Sequence, residues 1–289
     1  MARMDVILAK TRYVYPSYTD LNRLFDLSGL ETCHIDGIDH NRDAVYVVGC
    51  VNGEYRPHRA NAKNPKAFLV FWSLERPGPE RFVGYCAGMR KLLNEWNFDE
   101  IWSADPYVVD KIADSRIRYV PIGGHPDLES VVREEPKYDF AHMSCQSGRR
   151  NNIYKALEKA GKTMAPNAYG EARTTLLGQS RYMLNVHQDD WPILEPLRFV
   201  LAACCKLPII SEHVEHAGIY SRHGANHYYI DVHYAELAET ALGVKPVDMA
   251  AMAERTYDMV TTEFGFSRVV LSAVDAIAQA RELNAGVIR

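Results

Sequence analysis

The segment Tyr182–Glu212, YMLNVHQDDWPILEPLRFVLAACCKLPIISE, constrains the fold more than any other part of the chain. Met183–Val186 is a short apolar run that predicts a buried strand, and Leu207–Ile210 predicts a second one, with Pro208 tolerated near its start. Between them, Pro192–Cys205 predicts a helix with both prolines near its beginning, where a missing N–H costs nothing. Strand, polar loop, helix and strand in this order are typical of a parallel α/β sheet.

The polar loop of this segment, His187–Trp191, follows a predicted strand, and parallel sheets bind their ligands beyond the carboxyl ends of their strands. The start of the following helix offers free N–H groups and the positive end of its dipole to a phosphate. Charged and polar side chains that suit an anionic, hydroxyl-rich ligand are concentrated here: His187, Asp189, Asp190, Glu195 and Arg198. The sequence therefore predicts a binding site for such a ligand.

Composition narrows the class of protein. The net charge of −4 argues against wholesale binding of polyanions. The six cysteines form no C-x-x-C pair and mostly lie inside apolar runs, so we expect a reducing compartment and no disulfide framework. The chain start lacks the apolar core of a signal peptide, and no apolar stretch reaches the roughly 18 residues of a membrane span. We therefore expect a cytoplasmic protein without a membrane span.

Strand candidates alternate with amphipathic helix candidates along nearly the whole chain, which is the pattern of an α/β fold. Glycines, prolines and charges cluster in Gly123–Lys137 and mark a domain boundary. We predict two Rossmann-like domains that face each other across a cleft, residues 1–125 and residues 126–289. The last helix, Phe266–Leu283, is a candidate to pack back on the first domain.

The second predicted domain opens with Tyr138–Arg150, YDFAHMSCQSGRR, which predicts a strand, a turn of small residues and a helix that begins on two arginines. Small residues let the backbone approach a phosphate, and arginine can bind one with two parallel hydrogen bonds. The segment lacks the G-x-G-x-x-G fingerprint, so taken alone it fits an ordinary strand–helix turn with solvated arginines equally well. A further strand is predicted at Lys162–Ala165.

Together the two segments resemble the donor domain of the GT-B glycosyltransferases, especially the bacterial and phage group related to spore-maturation-type enzymes. In that group, a strand, a small-residue turn and an arginine pair open the domain, as in YDFAHMSCQSGRRNNIYKALEKAG. A strand ending in L-N-x-H, an L-E-x-x-R helix and a closing strand form its second hallmark. The matching positions are Leu184, Asn185, His187, Leu194, Glu195, Arg198 and the run Ile209–Glu212. The YVPIGG segment resembles the crossing into the donor domain, so the resemblance covers about residues 100–215.

The resemblance implies transfer of a sugar from a nucleotide-sugar, with no cofactor and no metal. Arginines and the helix start beyond Trp191 would stabilise the departing nucleoside diphosphate. Glu195 would accept hydrogen bonds from ribose or sugar hydroxyls, and His187 would contact the diphosphate or the sugar. Asn167 and Tyr169, in a predicted loop, would contact the nucleobase. The implied donor-binding residues are Ser147, Arg149, Arg150, Asn167, Tyr169, His187, Glu195 and Arg198.

One position departs from the family pattern. Many relatives carry a glutamate in an E-A-L or E-A-M step of this helix, which is expected to bind the donor ribose, and Leu201 stands there in this chain. Glu195, earlier in the segment, is the candidate to take over that contact. The alternative is that the donor is held differently.

The first domain would then hold the acceptor. An inverting mechanism needs a base that takes the acceptor proton, whereas a retaining mechanism needs none. The candidate bases are acids that follow predicted strands, in the order Glu75, Asp105 and Glu54. The candidate acceptor contacts are Arg12, Asn52, Arg56 and Arg59.

The sequence does not decide whether the acceptor is a glycan, a small molecule or a modified nucleic acid. The stretch RPHRANAKNPK, Arg56–Lys66, has four basic residues and no acid, as expected of a solvated loop or of a patch that follows phosphates. Phages encode GT-B enzymes that glycosylate modified bases, so a DNA-base glycosyltransferase is one alternative. The others are a sugar-nucleotide epimerase and a non-catalytic nucleotide-sugar-binding or scaffold protein.

Histidines in SEHVEH suggest a metal at first sight, since His213 and His216 lie three residues apart. A zinc site needs three or four converging ligands, and spacing places no third one here, so we predict no metal site. The sequence leaves open the donor base and sugar, the stereochemical course and the oligomeric state.

Overall fold

The computed structural model describes residues 4–11, 16–50, 66–74, 78–129, 135–193, 195–220 and 229–287. The chain divides into two compact units. The first comprises Met1–Ile122 and Phe266–Arg289, and the second comprises Gly123–Gly265. Each unit is built on one sheet in which all strand pairs are parallel.

The first unit carries a six-stranded sheet in the order β2-β1-β3-β4-β5-β6. Its strands are β1 (Asp5–Lys10), β2 (Glu31–His34), β3 (Ala44–Cys50), β4 (Phe68–Ser73), β5 (Glu100–Ser103) and β6 (Ile117–Tyr119). Its first helices are α1 (Pro16–Leu27), α2 (Pro79–Asn94) and α3 (Pro106–Ile112). Central strands are continuous apolar runs because helices cover both faces. The edge strand β2, with the sequence ETCH, has no such run and was not predicted.

The second unit carries a four-stranded sheet in the order β10-β9-β8-β7. Its strands are β7 (Tyr138–Ala141), β8 (Ser180–Asn185), β9 (Ile209–Glu212) and β10 (Ile230–Val232). Its helices are α4 (Gly148–Lys159), α5 (Gly170–Gly178), α6 (Pro196–Cys204), α7 (Leu237–Gly243) and α8 (Pro246–Asp258), the last followed by a π-helical turn at Met259–Glu263. The strand predicted at Lys162–Ala165 is reduced to a single parallel bridge between Met164 and Phe140.

The order of the strands in the second unit creates a point where the chain reverses its direction of travel across the sheet. From β7 the chain passes to Met164 on one side and then returns to β8 on the other, since Phe140 pairs with both Met164 and Tyr182. The loops that leave the carboxyl ends of β7 and β8 therefore run in opposite directions. In open parallel sheets this switch point is where ligands bind.

Helix α6 begins at Pro196, so the prediction that it starts at Pro192 is wrong. Glu195, the N-cap residue, has φ −98° and ψ 91°, outside the helical region. The cause is Pro196, because a proline ring disfavours the helical conformation in the residue before it. The connection after β8 is consequently a longer loop than expected, and no helix starts directly beyond Trp191.

The long C-terminal helix, α9 (Phe266–Val287), packs within the first unit. The ring of Phe266 lies 5.8 Å from that of Phe25 and 5.6 Å from that of Trp72, centroid to centroid. The Ser267 hydroxyl donates a 2.6 Å hydrogen bond to the carbonyl oxygen of Ser28. Within the part of the chain that the structure describes, no helix is long and apolar enough to cross a membrane.

We expect Gly124→Ala to destabilise the second unit. A Cβ on Gly124 would lie 2.3 Å from Cys204 Sγ and 3.3 Å from both Val200 and Val260, so the packed side chains must shift. Overpacking of this kind costs about 1–3 kcal/mol. Calorimetric unfolding should show a lower transition temperature, partly recovered in the double variant with Cys204→Ala.

The matched control is Gly88→Ala in α2, where an added Cβ meets nothing within 4 Å. That change should raise stability by up to about 1 kcal/mol, because alanine is the better helix former. An unfolding temperature for Gly124→Ala equal to or above that of the wild type would contradict the packing described here.

Candidate functional site

A buried arginine joins the two loops at the switch point. Arg150, in the first turn of α4, is 1% exposed. Its Nε donates to the Val186 carbonyl oxygen at 2.8 Å, and its Nη1 donates to the Cys145 carbonyl oxygen at 3.0 Å. Val186 follows β8 and Cys145 follows β7, so one guanidinium fixes both diverging loops.

Ser147 reinforces this junction as the N-cap of α4. Its Oγ accepts a 3.3 Å hydrogen bond from the Arg150 amide and donates one of 3.3 Å to the Gln188 carbonyl oxygen. The cap satisfies one of the free N–H groups of the first helical turn. Ser147 therefore holds the start of α4 against the loop after β8, where phosphate binding was predicted.

Arg149 lies beside this junction in a part-buried ion pair with Glu212, the last residue of β9. Both guanidinium Nη groups bind the carboxylate, with Nη1 at 2.6 Å from Oε2. The same Oε2 accepts a 3.0 Å hydrogen bond from the His187 amide. The guanidinium carbon lies 3.6 Å from the centroid of the Tyr234 ring, whose hydroxyl donates to the Arg149 carbonyl oxygen. The sequence included Glu212 in a matching run but assigned no role to Glu212 or Tyr234.

Arg198 and Arg150 share a single carboxylate. Arg198 Nη1 pairs with Glu195 Oε2, which lies 3.7 Å from Arg150 Nη2. Burial, followed by repulsion from Arg150, lowers the pKa of Arg198 to about 9. The guanidinium is still protonated at neutral pH. Two positive charges facing one negative charge leave a local excess that an anion would neutralise.

His142, the first residue after β7, was not a sequence candidate and belongs to the same cluster. Its ring stacks on Tyr154 with centroids 4.6 Å apart, and its Nδ1 lies 3.4 Å from Ser144 Oγ, which in turn lies 2.9 Å from the Tyr154 hydroxyl. Burial, then Arg198 and Arg150, lower the pKa of His142 to about 4. His142 is therefore neutral at physiological pH. Nothing in its sequence context distinguished it.

The predicted nucleobase residues lie in the loop that follows the bridge at Met164. Asn167 Nδ2 donates to the Tyr169 hydroxyl at 3.4 Å. The guanidinium carbon of Arg173 lies 4.4 Å from the centroid of the Tyr169 ring, which is 40% exposed. Arg173 itself is buried and donates from Nε to the Ala168 carbonyl oxygen at 2.7 Å. A half-exposed ring with a cation on one face can stack a base on the other. The nucleobase contact stays a prediction.

The position that departs from the family pattern, Leu201, is 3% exposed within α6. Its side chain offers no hydrogen-bonding group. Any polar contact to a ribose in this region therefore has to come from other residues, of which Glu195 is half-buried and already paired with Arg198.

Among the candidate bases, the structure describes Asp105. Its Oδ1 accepts a 2.9 Å hydrogen bond from the Tyr107 amide and caps α3, while its own amide hydrogen-bonds to Ser103 Oγ. These contacts give Asp105 a structural role, and its catalytic role stays a prediction. The remaining first-unit candidates lie outside the described residues: Glu75, Glu54, Arg12, Asn52, Arg56 and Arg59.

The histidines near β9 do not converge on a metal site in the described ranges. His213 Nδ1 pairs with the Asp231 carboxylate at 3.1 Å, and its ring lies 5.5 Å from that of His233. No group of three or more histidine, cysteine, aspartate or glutamate side chains is placed to hold a metal ion, as far as the chain is described.

No protein-family model matches the chain, and no curated protein matches its sequence. Among solved structures, HepE from Anabaena in complex with UDP and glucose has a TM-score of 0.62 and 10% identity, over 96% of this chain and 100% of HepE. WaaG, a glycosyltransferase involved in lipopolysaccharide biosynthesis, has a TM-score of 0.57 and 13% identity, over 94% of this chain and 99% of WaaG.

The fold is that of the GT-B glycosyltransferases. TarM from S. aureus is a third similar structure, with a TM-score of 0.55 and 8% identity over 82% of this chain, which covers 55% of the length of TarM. The predicted GT-B fold class is confirmed. Identities of 8–13% to these structures support the fold and no finer grouping.

We expect Glu212→Gln to destabilise the protein. The variant removes the carboxylate that neutralises Arg149, and hydrogen bonds to charged groups contribute about 1.5–3 kcal/mol. Thermal unfolding should occur at a lower temperature. Glu31→Gln is the matched control, since Glu31 also pairs twice with an arginine, Arg42, but both side chains are far more exposed.

Exposed ion pairs contribute little, so Glu31→Gln should lower the unfolding temperature much less than Glu212→Gln. Equal effects of the two substitutions would show that the Arg149–Glu212 pair is not specially stabilising.

The neutral state of His142 predicts a specific pH dependence. An unfolded histidine titrates near its ordinary pKa of about 6.5, whereas the pKa of His142 in the folded protein is about 4. Between these values the unfolded chain binds more protons, so the free energy of unfolding falls as the pH drops from about 6.5 to about 4. His142→Gln should reduce this slope in denaturant titrations at successive pH values. An unchanged slope would mean that His142 is not held neutral.

Proposed function

We propose that this protein transfers a sugar from a nucleotide-sugar donor to an acceptor, with nucleoside diphosphate as the leaving group. The observation that carries the proposal is the surplus of guanidinium charge at the switch point of the second unit. Arg150 and Arg198 share Glu195, and their mutual repulsion contributes to the lowered pKa of Arg198. A diphosphate bound there would relieve that repulsion.

The chemistry of sugar transfer fits such a site. When the bond between the sugar and the diphosphate breaks, negative charge develops on the leaving oxygen. Preorganised positive groups in a partly buried site stabilise that charge more effectively than water does. We assign this role to Arg198, assisted by Arg150 and by the amides at the start of α4 behind Ser147. In this proposal the guanidinium groups supply the stabilisation that other transferases obtain from a bound metal.

The three arginines would have different roles. Arg150 is enclosed and its N–H groups bind main-chain oxygens, so it contributes charge and loop geometry. Arg198 is half-buried and is the better placed to touch the ligand. Arg149 is held by Glu212, which also binds the His187 amide, and through this link it would orient the loop after β8.

HepE, which has this fold, binds UDP and glucose, so uridine donors are the first to test. Scattered cysteines support a cytoplasmic setting. Membership of the spore-maturation-type group is also proposed, on the arginine pair and the L-N-x-H strand end. The buried Leu201 favours a second candidate, a nucleotide-sugar-binding protein without turnover, because the acid expected to bind ribose is missing.

The first prediction of this proposal concerns binding. Among UDP, GDP, ADP, CDP and dTDP, at least one should raise the unfolding temperature, since a ligand at a hundred times its Kd adds about 2.7 kcal/mol. Arg198→Ala should abolish the shift. Arg181→Ala, which removes an exposed arginine of β8, is the control and should leave the shift unchanged. A full shift in Arg198→Ala would exclude Arg198 as the phosphate contact.

A second prediction concerns turnover. With a mixed pool of candidate acceptors, a transferase should release free nucleoside diphosphate, whereas an epimerase consumes donor without releasing it. If the reaction inverts, Glu75→Gln or Asp105→Asn should abolish release and leave the thermal shift intact. If the protein binds the donor but releases no nucleoside diphosphate under any condition, the result would favour a non-catalytic binding protein.

A further inference from the structure

The imidazole of His142 lies within the arginine cluster of the second unit. His142 is the first residue after β7, at the edge of the sheet where parallel sheets bind their ligands. Arg150 of α4 and Arg198 of α6 both lie close enough to act on the charge of the ring. The residue is half-buried, so it is neither sealed in the core nor fully solvated.

Two contacts fix how the ring is held. One face stacks on Tyr154, with the ring centroids 4.6 Å apart and the planes inclined by 24°. Nδ1 lies 3.4 Å from Ser144 Oγ, and that oxygen lies 2.9 Å from the Tyr154 hydroxyl. Ser144 and Tyr154 are both buried. The ring is thus anchored by one face and by Nδ1, and Nε2 is turned away from Ser144.

The charges of the cluster do not balance those of a bound diphosphate. Arg150 and Arg198 share the single negative charge of Glu195, so the cluster by itself has one positive charge in excess. A nucleoside diphosphate brings more than one negative charge at neutral pH. With the ligand in place, the cluster would have a net negative charge, and an unbalanced charge in a partly buried site is costly.

His142 can correct this imbalance. Burial, then Arg198 and Arg150, lower its pKa to about 4, so the ring is neutral beside the two arginines. A diphosphate on the arginines would cancel their repulsion and add an attraction of its own, and both effects favour the imidazolium. The Tyr154 phenol cannot take up a proton, because it already holds one and burial raises its pKa.

Other groups act on the same charges. The charged and titratable side chains that surround the ring and its two arginines are Arg150 and Tyr154 of α4, Arg173 of α5, Arg198 of α6, Cys145 and Glu195. The other histidine of the site, His187, has its Nδ1 3.8 Å from Glu212 Oε2, beside the Arg149–Glu212 pair, whose charges already cancel.

We propose that His142 is a further ligand-binding residue of this site, which takes up a proton from water when a diphosphate binds and donates a charged hydrogen bond to it. The inference rests on the proposed function, since the diphosphate is the ligand. The added proton gives the imidazolium an N–H donor on each ring nitrogen. Nδ1 then donates to Ser144, and Nε2 donates to a phosphate oxygen.

The same proton would assist sugar transfer. The diphosphate of an intact nucleotide-sugar carries less negative charge than the nucleoside diphosphate that leaves. His142 is therefore protonated more fully as the bond between sugar and phosphate breaks, and its charge stabilises the transition state more than the bound donor. We expect His142→Gln to lower kcat more than it raises the KM for the donor.

The protonation state can be followed at His142 itself. With ¹³C-labelled histidines, the Cε1–H resonance of His142 is titrated by NMR with and without saturating inorganic pyrophosphate. His142→Gln and His142→Phe both assign this resonance. Glutamine keeps a polar group beside Ser144 and phenylalanine keeps the stack on Tyr154, so the assignment does not depend on one variant.

We expect pyrophosphate to raise the pKa of His142 from about 4 to at least its ordinary value of about 6.5. A pKa of His142 that pyrophosphate leaves unchanged would overturn the proposal. A purely structural role of the ring predicts that result.

Calorimetry counts the proton. Titration with pyrophosphate at about pH 6, in buffers of different ionisation enthalpy, gives the number of protons taken up on binding. His142→Gln should take up about one proton fewer than the wild type. The control, His34→Gln, removes an exposed histidine at the end of the edge strand β2 and should match the wild type. Since pyrophosphate titrates alike with all three proteins, the difference reports the side chain.

Equal proton uptake by His142→Gln and the wild type would overturn the role of His142 and leave the diphosphate site in place. If the wild type binds neither pyrophosphate nor any nucleoside diphosphate, the proposed function is refuted together with this role. The heat of binding in the wild type distinguishes the two failures.

Discussion

The buried guanidinium of Arg150 is the interaction on which the rest of the site depends. It binds the carbonyl oxygens of Val186 and Cys145, which belong to loops that leave neighbouring strands in opposite directions. The Val186 carbonyl oxygen is buried and needs a donor, and the same planar group also binds the Cys145 carbonyl oxygen. Burying the charge is costly, and the carboxylate of Glu195, at 3.7 Å, offsets part of that cost.

The remaining features of the site follow from that charge. Arg198 pairs with the same carboxylate, and burial, followed by repulsion from Arg150, lowers its pKa to about 9. Burial, together with the two arginines, keeps His142 neutral. The charge of Arg149 is neutralised by Glu212 at the end of β9, so Arg149 does not take part in the repulsion between Arg150 and Arg198. The arrangement is thus a folded scaffold that holds more positive than negative charge at the point where a parallel sheet binds its ligands.

Much of this could be predicted from the sequence. Apolar runs separated by amphipathic stretches located nearly every strand and helix, because buried parallel strands have a strong compositional signal. The half-exposed edge strand Glu31–His34 has no such signal and was missed. The sequence does not decide where α6 starts, because Pro192 and Pro196 both suit a first helical turn. Pro196 places the start, since it disfavours the helical conformation at Glu195.

The sequence predicted the polar loop residues of the candidate site, but it did not predict which residues contact them. Arg149 and Arg150 stood out as a pair, but the sequence could not show that one is enclosed by carbonyl oxygens and the other by Glu212. That distinction depends on the register of β9 against β8, a long-range property. The sequence does not single out His142, because its low pKa arises from burial and from two arginines, of which Arg198 is distant in sequence and lies on another helix.

The proposed function requires that the arginine cluster of the second unit bind a diphosphate. The most direct test is a crystal structure of the whole chain with the nucleoside diphosphate that stabilises it most. We expect phosphate oxygens within hydrogen-bonding distance of Arg198 and of the amides at the start of α4. A diphosphate bound elsewhere on the chain, with Arg198 still paired only to Glu195, would contradict it.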